Sequence, residues 1–292
     1  MTDRRALAAN GRVAAAELEG EVAAEAFVAG VWASVAVPVA DLCAAPGGAR
    51  DRQLLLGARF RVLERRGGWA FGVAGADGYV GYLAEAALGP EVDVTHRVAV
   101  PATHLYPAPD LKRRERAWLP FGAALCVVSE TGAFLETNAG DFVPRPHLRP
   151  LDAPVADPVA VAELFLGVPY LWGGNSSAGI DCSGLVQAGC HAAGITCPGD
   201  SDQQEAVLGV TLPPGTPPAR GDLLFWKGHV AWVVDGETLI HANAHAMAVA
   251  FEPIEAAIAR IAAQGEGGVT RHARLQRTTG RASGRGHVSV RA

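Results

Sequence analysis

Residues 168–193 read VPYLWGGNSSAGIDCSGLVQAGCHAA, and the rest of the chain is read outward from them. Tyr170-Leu171-Trp172-Gly173-Gly174 is a glycine-rich aromatic loop, and Asp181-Cys182-Ser183-Gly184 follows it. The apolar spacing of Leu185-Val186-Gln187-Ala188 predicts a helix. Aspartate is a favoured N-cap, so Asp181 places Cys182 in the first turn. The positive helix end and its free N–H groups favour a thiolate there. The same donors can hold the oxyanion formed when that sulfur attacks a carbonyl. Taken alone, a cysteine near a helix start also suits a small buried hydrophobe.

Two histidines follow at useful positions. Arg220-Gly221-Asp222-Leu223 is a turn entering a strand. GHVAWVVDG (228–236) is a strand opening at His229, and TLIHAN (238–243) is another with His241 at its centre. Asp235-Gly236 predicts a tight turn, and hence an antiparallel hairpin with both histidines on one face. A thiol, a histidine base and a second polar group form a Cys–His–X triad. Asn243 and His245 are the alternative orienting groups. Trp172, Trp226 and Trp232 are expected in the core beside the site.

Composition narrows the function. The chain has 292 residues, 49% hydrophobic and 19% charged, with 25 Lys+Arg against 30 Asp+Glu and a net charge of −5. This is globular and excludes a general nucleic-acid binder. Five cysteines without a C-x-x-C pair exclude a disulfide scaffold and a structural zinc site, so no metal or cofactor is expected. Cys43, Cys126, Cys190 and Cys197 have no base at a recognisable spacing and are expected to pack. Glu17, Glu19 and Glu21 stand where a signal peptide would need its apolar run, and the apolar stretch 31–40 is short and contains Pro38. A cytoplasmic protein without membrane attachment is expected.

The front half reads as small β units. Alanine and glutamate in 12–27 predict a short helix within an N-terminal helical segment, 1–30. LLLG (54–57), FRVLE (60–64), GWAFGV (68–73) and GYVGYL (78–83) are β-rich runs separated by turn residues, which predicts a small barrel over 31–92. A weaker copy in the same order covers 93–152. Residues 151–158 read as a linker, with Asp157 capping a helix at 159–166 that begins on Pro158. The chemistry belongs to 153–277, and 278–292 reads as a flexible tail.

Pro169-Tyr170-Leu171-Trp172-Gly173-Gly174, Asp181-Cys182-Ser183-Gly184-Leu185-Val186, Arg220-Gly221-Asp222-Leu223, Gly228-His229-Val230 and Ile240-His241-Ala242 resemble, in order, the NlpC-type papain-like cell-wall cysteine peptidases. The front units resemble bacterial SH3-like domains, although the second lacks the Gly-Trp and Asp-Gly-Tyr signatures of the first. The resemblance implies an α+β fold, a papain-like cysteine peptidase domain preceded by two small SH3-like β-barrels. It implies a γ-D-glutamyl-L-diamino-acid endopeptidase that cuts murein peptides carrying a free N-terminal L-Ala. Cys182 would be the nucleophile, His229 the base and then the acid, and His241 its orienting partner. The Tyr170 hydroxyl would assist the oxyanion.

Asp181 and Ser183 flank the nucleophile and would border the substrate. Asp200-Ser201-Asp202-Gln203-Gln204 matches the family segment P-R-D-S-D-x-Q, so Asp200 and Ser201 would hold the L-Ala-γ-D-Glu part, a carboxylate for the ammonium and a hydroxyl for a carbonyl or carboxylate. The same residues suit a polar loop capping a helix. Tyr79, then Tyr82, would reach the pocket from the first barrel, with Asp51 as the acidic candidate; both tyrosines also suit barrel packing. Gly199 stands where the family has arginine, and Ala58 where glutamate is common. The implied partner is a murein peptide, with no nucleic acid or membrane, for a monomer or weak homo-oligomer. An amidase or acyltransferase on this fold, or an inactive murein-binding protein, are the alternatives.

Overall fold

Along the chain, two β-rich units precede one α+β unit. The computed structural model describes residues 3–276, so the expected tail 278–292 lies outside the described residues. In the first unit, strands Val31–Val35, Val39–Cys43, Arg50–Leu55, Arg59–Arg66, Trp69–Ala74, Val80–Ala84 and Leu88–Pro90 form one antiparallel sheet. Alternation along these strands buries Val35, Leu42, Leu54, Phe60, Val62 and Leu83 in a common core. Bulges at Leu42/Cys43 and Val62/Glu64 bend the sheet. The ladder nevertheless keeps two edges, at Arg50–Leu55 and Leu88–Pro90, so the expected barrel is not closed.

The second unit departs further from a barrel. It holds three small antiparallel sheets, built from strands such as His96–Val98, Ala102–Leu105 and Phe142–Pro144. Pro101, Pro107 and Pro120 remove ladder donors here, which keeps the strands short.

The helix expected over 12–27 is absent. Val13–Ala15 pairs in parallel with Ala26–Val28, and only a single 3₁₀ turn, Ala16–Leu18, lies between. Glu17 and Glu21 would stack like charges at i,i+4 on a helix. Docking offers the segment more: Ala8 and Ala15 bury against Leu63, Phe71 and Val80, and Arg12 binds Glu64. The segment is thus an outer layer of the first unit. Val80 N–H donates to the Arg5 carbonyl at 2.8 Å, which brings residues 3–5 beside Tyr79.

The α+β unit begins where Asp157 accepts from Val159 N–H at 2.9 Å and caps α1 (Pro158–Glu163). Helices α2 (Cys182–Ala192), α3 (Ser201–Val207) and α4 (Ile254–Ala263) follow. Six antiparallel strands run in the order Val210–Thr211, Arg271–Arg274, Asp222–Trp226, His229–Val233, Thr238–Asn243, Ala248–Pro253. One face packs Val230, Trp232 and Ile240 against Leu185, Val186 and Cys190 of α2. The other packs Leu224, Trp226, Val233 and Leu239 against Ile254, Ala257 and Ile261 of α4. Trp226 and Trp232 are core residues as expected, whereas Trp172 is 71% exposed. All five cysteines are free, and among the described residues no helix is long and apolar enough to cross a membrane.

Candidate active site

Asp181 caps α2 and ties it to the glycine loop. Its Oδ1 accepts from Gly184 N–H at 2.7 Å and from the Ser183 hydroxyl at 3.0 Å, and its Oδ2 accepts from Gly173 N–H at 2.9 Å. Burial nonetheless pushes the Asp181 carboxyl up, against the pull of those donors. Ser183 is therefore engaged in the cap, although both residues border the cleft as expected. Gly173, at φ 67, has no room for a side chain, because a Cβ would meet the Asp51 carbonyl of the first unit.

Cys182 stands at the start of α2, as its cap predicts. Its thiol faces the backbone N–H groups of Val230 and Ser183. Burial outweighs these donors, and with the nearby Asp181 charge it pushes the thiol up to about 12. The helix end favours a thiolate, and burial opposes it.

His229 and His241 meet on one face of the hairpin, His229 Nε2 to His241 Nδ1 at 2.8 Å. Among the described residues no hydrogen bond joins His229 to the Cys182 sulfur; in ligand-free sites such bonds are often long. Burial lowers His229 to about 3, helped by the neighbouring His241, and lowers His241 to about 4. Both rings are neutral near pH 7.

Glu252 decides which nitrogens carry the protons. His241 Nε2 lies 3.0 Å from Glu252 Oε2, and Arg260 binds Glu252 through Nε at 2.9 Å and Nη2 at 2.8 Å. These Arg260 hydrogen bonds, first among several causes, hold Glu252 below the usual carboxylate range. An ionised carboxylate only accepts, so His241 donates from Nε2 and its Nδ1 accepts. His229 then donates from Nε2 and keeps a free lone pair on Nδ1, which is what a general base needs.

Sequence reading missed Glu252. The signal for it is the strand Ala248–Pro253, where Ala250 opposes His241 and Glu252 shares its face two positions on. Asn243 does not take this role, since its Oδ1 accepts from Ala246 N–H at 2.7 Å.

A cleft of about 430 Å³ runs from Cys182, Tyr170 and Ser183 to Asp200, Ser201, Tyr79 and Asp51. The first unit therefore borders the nucleophile. Burial raises the Tyr170 hydroxyl, beside Cys182 and Asp181, so it stays a donor. Tyr79 Oη donates to Asp200 Oδ2 at 3.0 Å. Tyr82 is not in the cleft: its ring packs on Phe71 at 5.0 Å, beneath the N-terminal segment. Asp51 is in the cleft but paired with Arg4 through two hydrogen bonds of 2.7 Å. Neither Arg4 nor Arg5 carried any sequence signal for the site.

A buried polar seam fixes the two units to each other. Arg52, on a strand of the first unit, bonds Asp77 and reaches Gln187 on α2, whose amide donates to Asp77 at 2.9 Å. The Arg52 side chain is 5% exposed and that of Asp77 3%. Gln53 and Asn175 bond reciprocally at 3.0 and 3.2 Å. A side chain at 199 would collide with the Arg52 guanidinium, so the glycine there fits this seam.

The NlpC/P60 family model matches residues 167–261, and a bacterial dipeptidyl-peptidase SH3 domain matches residues 42–88. The chain is similar to a γ-D-glutamyl-L-lysine dipeptidyl-peptidase of Bacillus subtilis, 30% identical, covering 65% of this chain and 71% of the relative. A protein of the same name from Bacillus cereus is 28% identical, covering 65% and 66%. A crystal structure of an NlpC/P60 family protein from Bacillus cereus superposes with a TM-score of 0.70 at 22% identity, covering 84% of this chain and 99% of that one.

Proposed function

This chain belongs to the NlpC/P60 family of cysteine peptidases, with an SH3 domain ahead of the papain-like one, and from that premise we propose that it cleaves the γ-D-glutamyl–diamino-acid bond of murein peptides bearing a free N-terminal L-Ala. The observation that carries this reading is that Tyr79, Asp51 and Asp200 line the same cleft as Cys182. A cleft that carries carboxylates beside the nucleophile suits a short peptide with a free ammonium.

In this reading Cys182 Sγ attacks the γ-glutamyl carbonyl carbon while its proton passes to His229 Nδ1. The carbon–nitrogen bond breaks, and the leaving amine takes that proton. Water, deprotonated by His229, then hydrolyses the thioester and restores the thiol. Neutral starting groups fit general-base attack, because no buried ion pair has to exist before substrate arrives. Tyr170 and the N–H groups at the start of α2 stabilise the oxyanion. His241 and Glu252 hold the tautomer. The second β unit is read as a diverged SH3-like barrel. Five free thiols suit a reducing compartment, and the proposal includes a cytoplasmic reaction, in recycling of released peptides, by a monomer or weak homo-oligomer.

The test is incubation with L-Ala-γ-D-Glu-diaminopimelate, the L-Lys analogue and their N-acetylated forms. Release of the diamino acid from free-amine peptides only, and by wild type but not Cys182→Ala, is expected. Equal cleavage of acetylated peptide would point to an amidase or acyltransferase acting on another bond. Binding without cleavage would point to an inactive murein-binding protein.

A further inference from the structure

Arg5 occupies the part of the cleft where a substrate ammonium would bind. Its Nη1 donates to Asp200 Oδ2 at 2.6 Å, the oxygen that also accepts from Tyr79. Nη1 also donates to Asp202 Oδ1 at 2.9 Å, Nη2 to Asp202 Oδ2 at 2.6 Å and to Asp3 Oδ2 at 2.7 Å, and Nε to both Asp3 oxygens at 3.0 Å. The main chain behind it is fixed, since the Arg5 carbonyl accepts from Val80 N–H and Ala8 is buried under Leu63 and Phe71. The side chain is held by hydrogen bonds to carboxylates alone. Two of its three carboxylates lie on the open rim, with Asp3 41% and Asp202 60% exposed, whereas Asp200 is more enclosed at 27%.

We propose that Arg5 is a specificity-determining residue, a tethered counter-ion that covers Asp200 in the empty cleft and yields it only to a ligand bringing its own cation. This rests on the reading that Asp200 holds the substrate's free amine. Rotation of the outer side-chain bonds takes Nη1 off Asp200 and off Asp202 Oδ1, the guanidinium keeps the exposed Asp202 and Asp3 as its remaining partners, and no main-chain contact breaks. An incoming ammonium then replaces the guanidinium at equal charge, so Asp200 is not left as a partly buried carboxylate without a cation. A neutral acylated end offers no such exchange and meets a filled pocket. Arg5 therefore excludes blocked peptides and weakens the binding of free ones.

The experiment measures KM and kcat of the full chain and of Arg5→Met, Arg5→Lys and Asp200→Asn on L-Ala-γ-D-Glu-L-Lys, with the N-acetyl peptide alongside. Methionine keeps an aliphatic stem and the same main chain. Arg5→Met is expected to lower KM for the free peptide by about threefold to tenfold, the scale of one partly exposed ion pair. Arg5→Lys, which reaches fewer carboxylates, is expected to fall between Arg5→Met and wild type. An unchanged or raised KM in Arg5→Met overturns the proposal, a rise meaning that the guanidinium holds a substrate carboxylate instead. If Arg5→Met does not fold, the Arg5→Lys KM alone decides by the same sign. Failure of the underlying reading is separate: Asp200→Asn would leave KM unchanged, or wild type would cut the N-acetyl peptide equally fast.

Discussion

One end of the proposed machinery, the histidine end, comes from one hairpin and the next strand, with His229 and His241 twelve positions apart and Glu252 eleven further on; the other, the proposed amine end, gathers Arg5, Tyr79 and Asp200 from segments up to 195 residues apart. Strand register places the histidines, so their contact follows from the backbone ladder. Only the docking of one unit on another brings the amine end together. The histidine end is buried and neutral, while the amine end is ionic and partly open. The first suits proton transfer that solvent does not disturb. The second suits exchange of one cation for another.

The comparison is broken most severely at the nucleophile and base. Cys182→Ala or His229→Ala is expected to lower kcat by about 10⁴-fold or more with the fold intact, since each removes a group needed in the transition state. Circular dichroism and single-turnover assays on free-amine peptide check this. Residual activity above a few per cent would mean another group does the chemistry.

Next in size is the seam that holds the amine end in place. Arg52→Met leaves the buried Asp77 carboxylate without its cation, a loss of about 3–5 kcal/mol. A large drop in melting temperature is expected, with a raised KM because Tyr79 and the loop bearing Asp200 lose their backing. Unchanged stability would mean the seam is ornamental.

Glu252→Gln tests the proton chain. An amide can present either its oxygen or its N–H₂ to His241, so the tautomer is no longer imposed. A kcat loss of about 10-fold to 100-fold is expected, with KM little changed. An unaltered kcat would remove Glu252 from the chain. The same substitution should leave selection for a free amine intact, because that end is built from other segments.

The smallest effects concern pH and separate the two ends. His229 titrates at about 3, so its basic form prevails from pH 5 to 8 and its protonation gives no acid limb in kcat/KM there. The substrate's α-amino group, with a pKa of about 8, should give an alkaline limb as it loses the charge that Asp200 holds. Stability follows the depressed histidine pKa values. The unfolded histidines bind protons from about pH 6.5 downward and the folded ones do not, so stability is present above that pH and falls toward about 3–4. Urea midpoints at pH 7 and pH 5 check this sign. His241→Asn, which removes one of the two groups, should flatten the slope.

The sequence by itself determined the elements whose causes lie within a few residues. Asp157 and Asp181 cap the helices they were expected to cap, and the loop between Val233 and Thr238, wider than the tight turn Asp235-Gly236 predicts, turns the hairpin that carries His229 and His241. Capping, turn chemistry and strand alternation are local, so the nucleophile and its histidines were legible from their spacing. The N-terminal helix failed for the complementary reason. Its composition was locally plausible, but docking Ala8 and Ala15 on Leu63 and Phe71 gave the segment a better burial than an isolated helix with paired like charges. Tertiary structure alone decided that Tyr79 enters the cleft and Tyr82 does not, that Glu252 backs the histidines, that Arg52 fills the space beside Gly199, and that Arg5 covers Asp200. Each of these depends on which distant surfaces pack together, and packing is set by the summed burial of whole units rather than by any spacing a single stretch of chain displays.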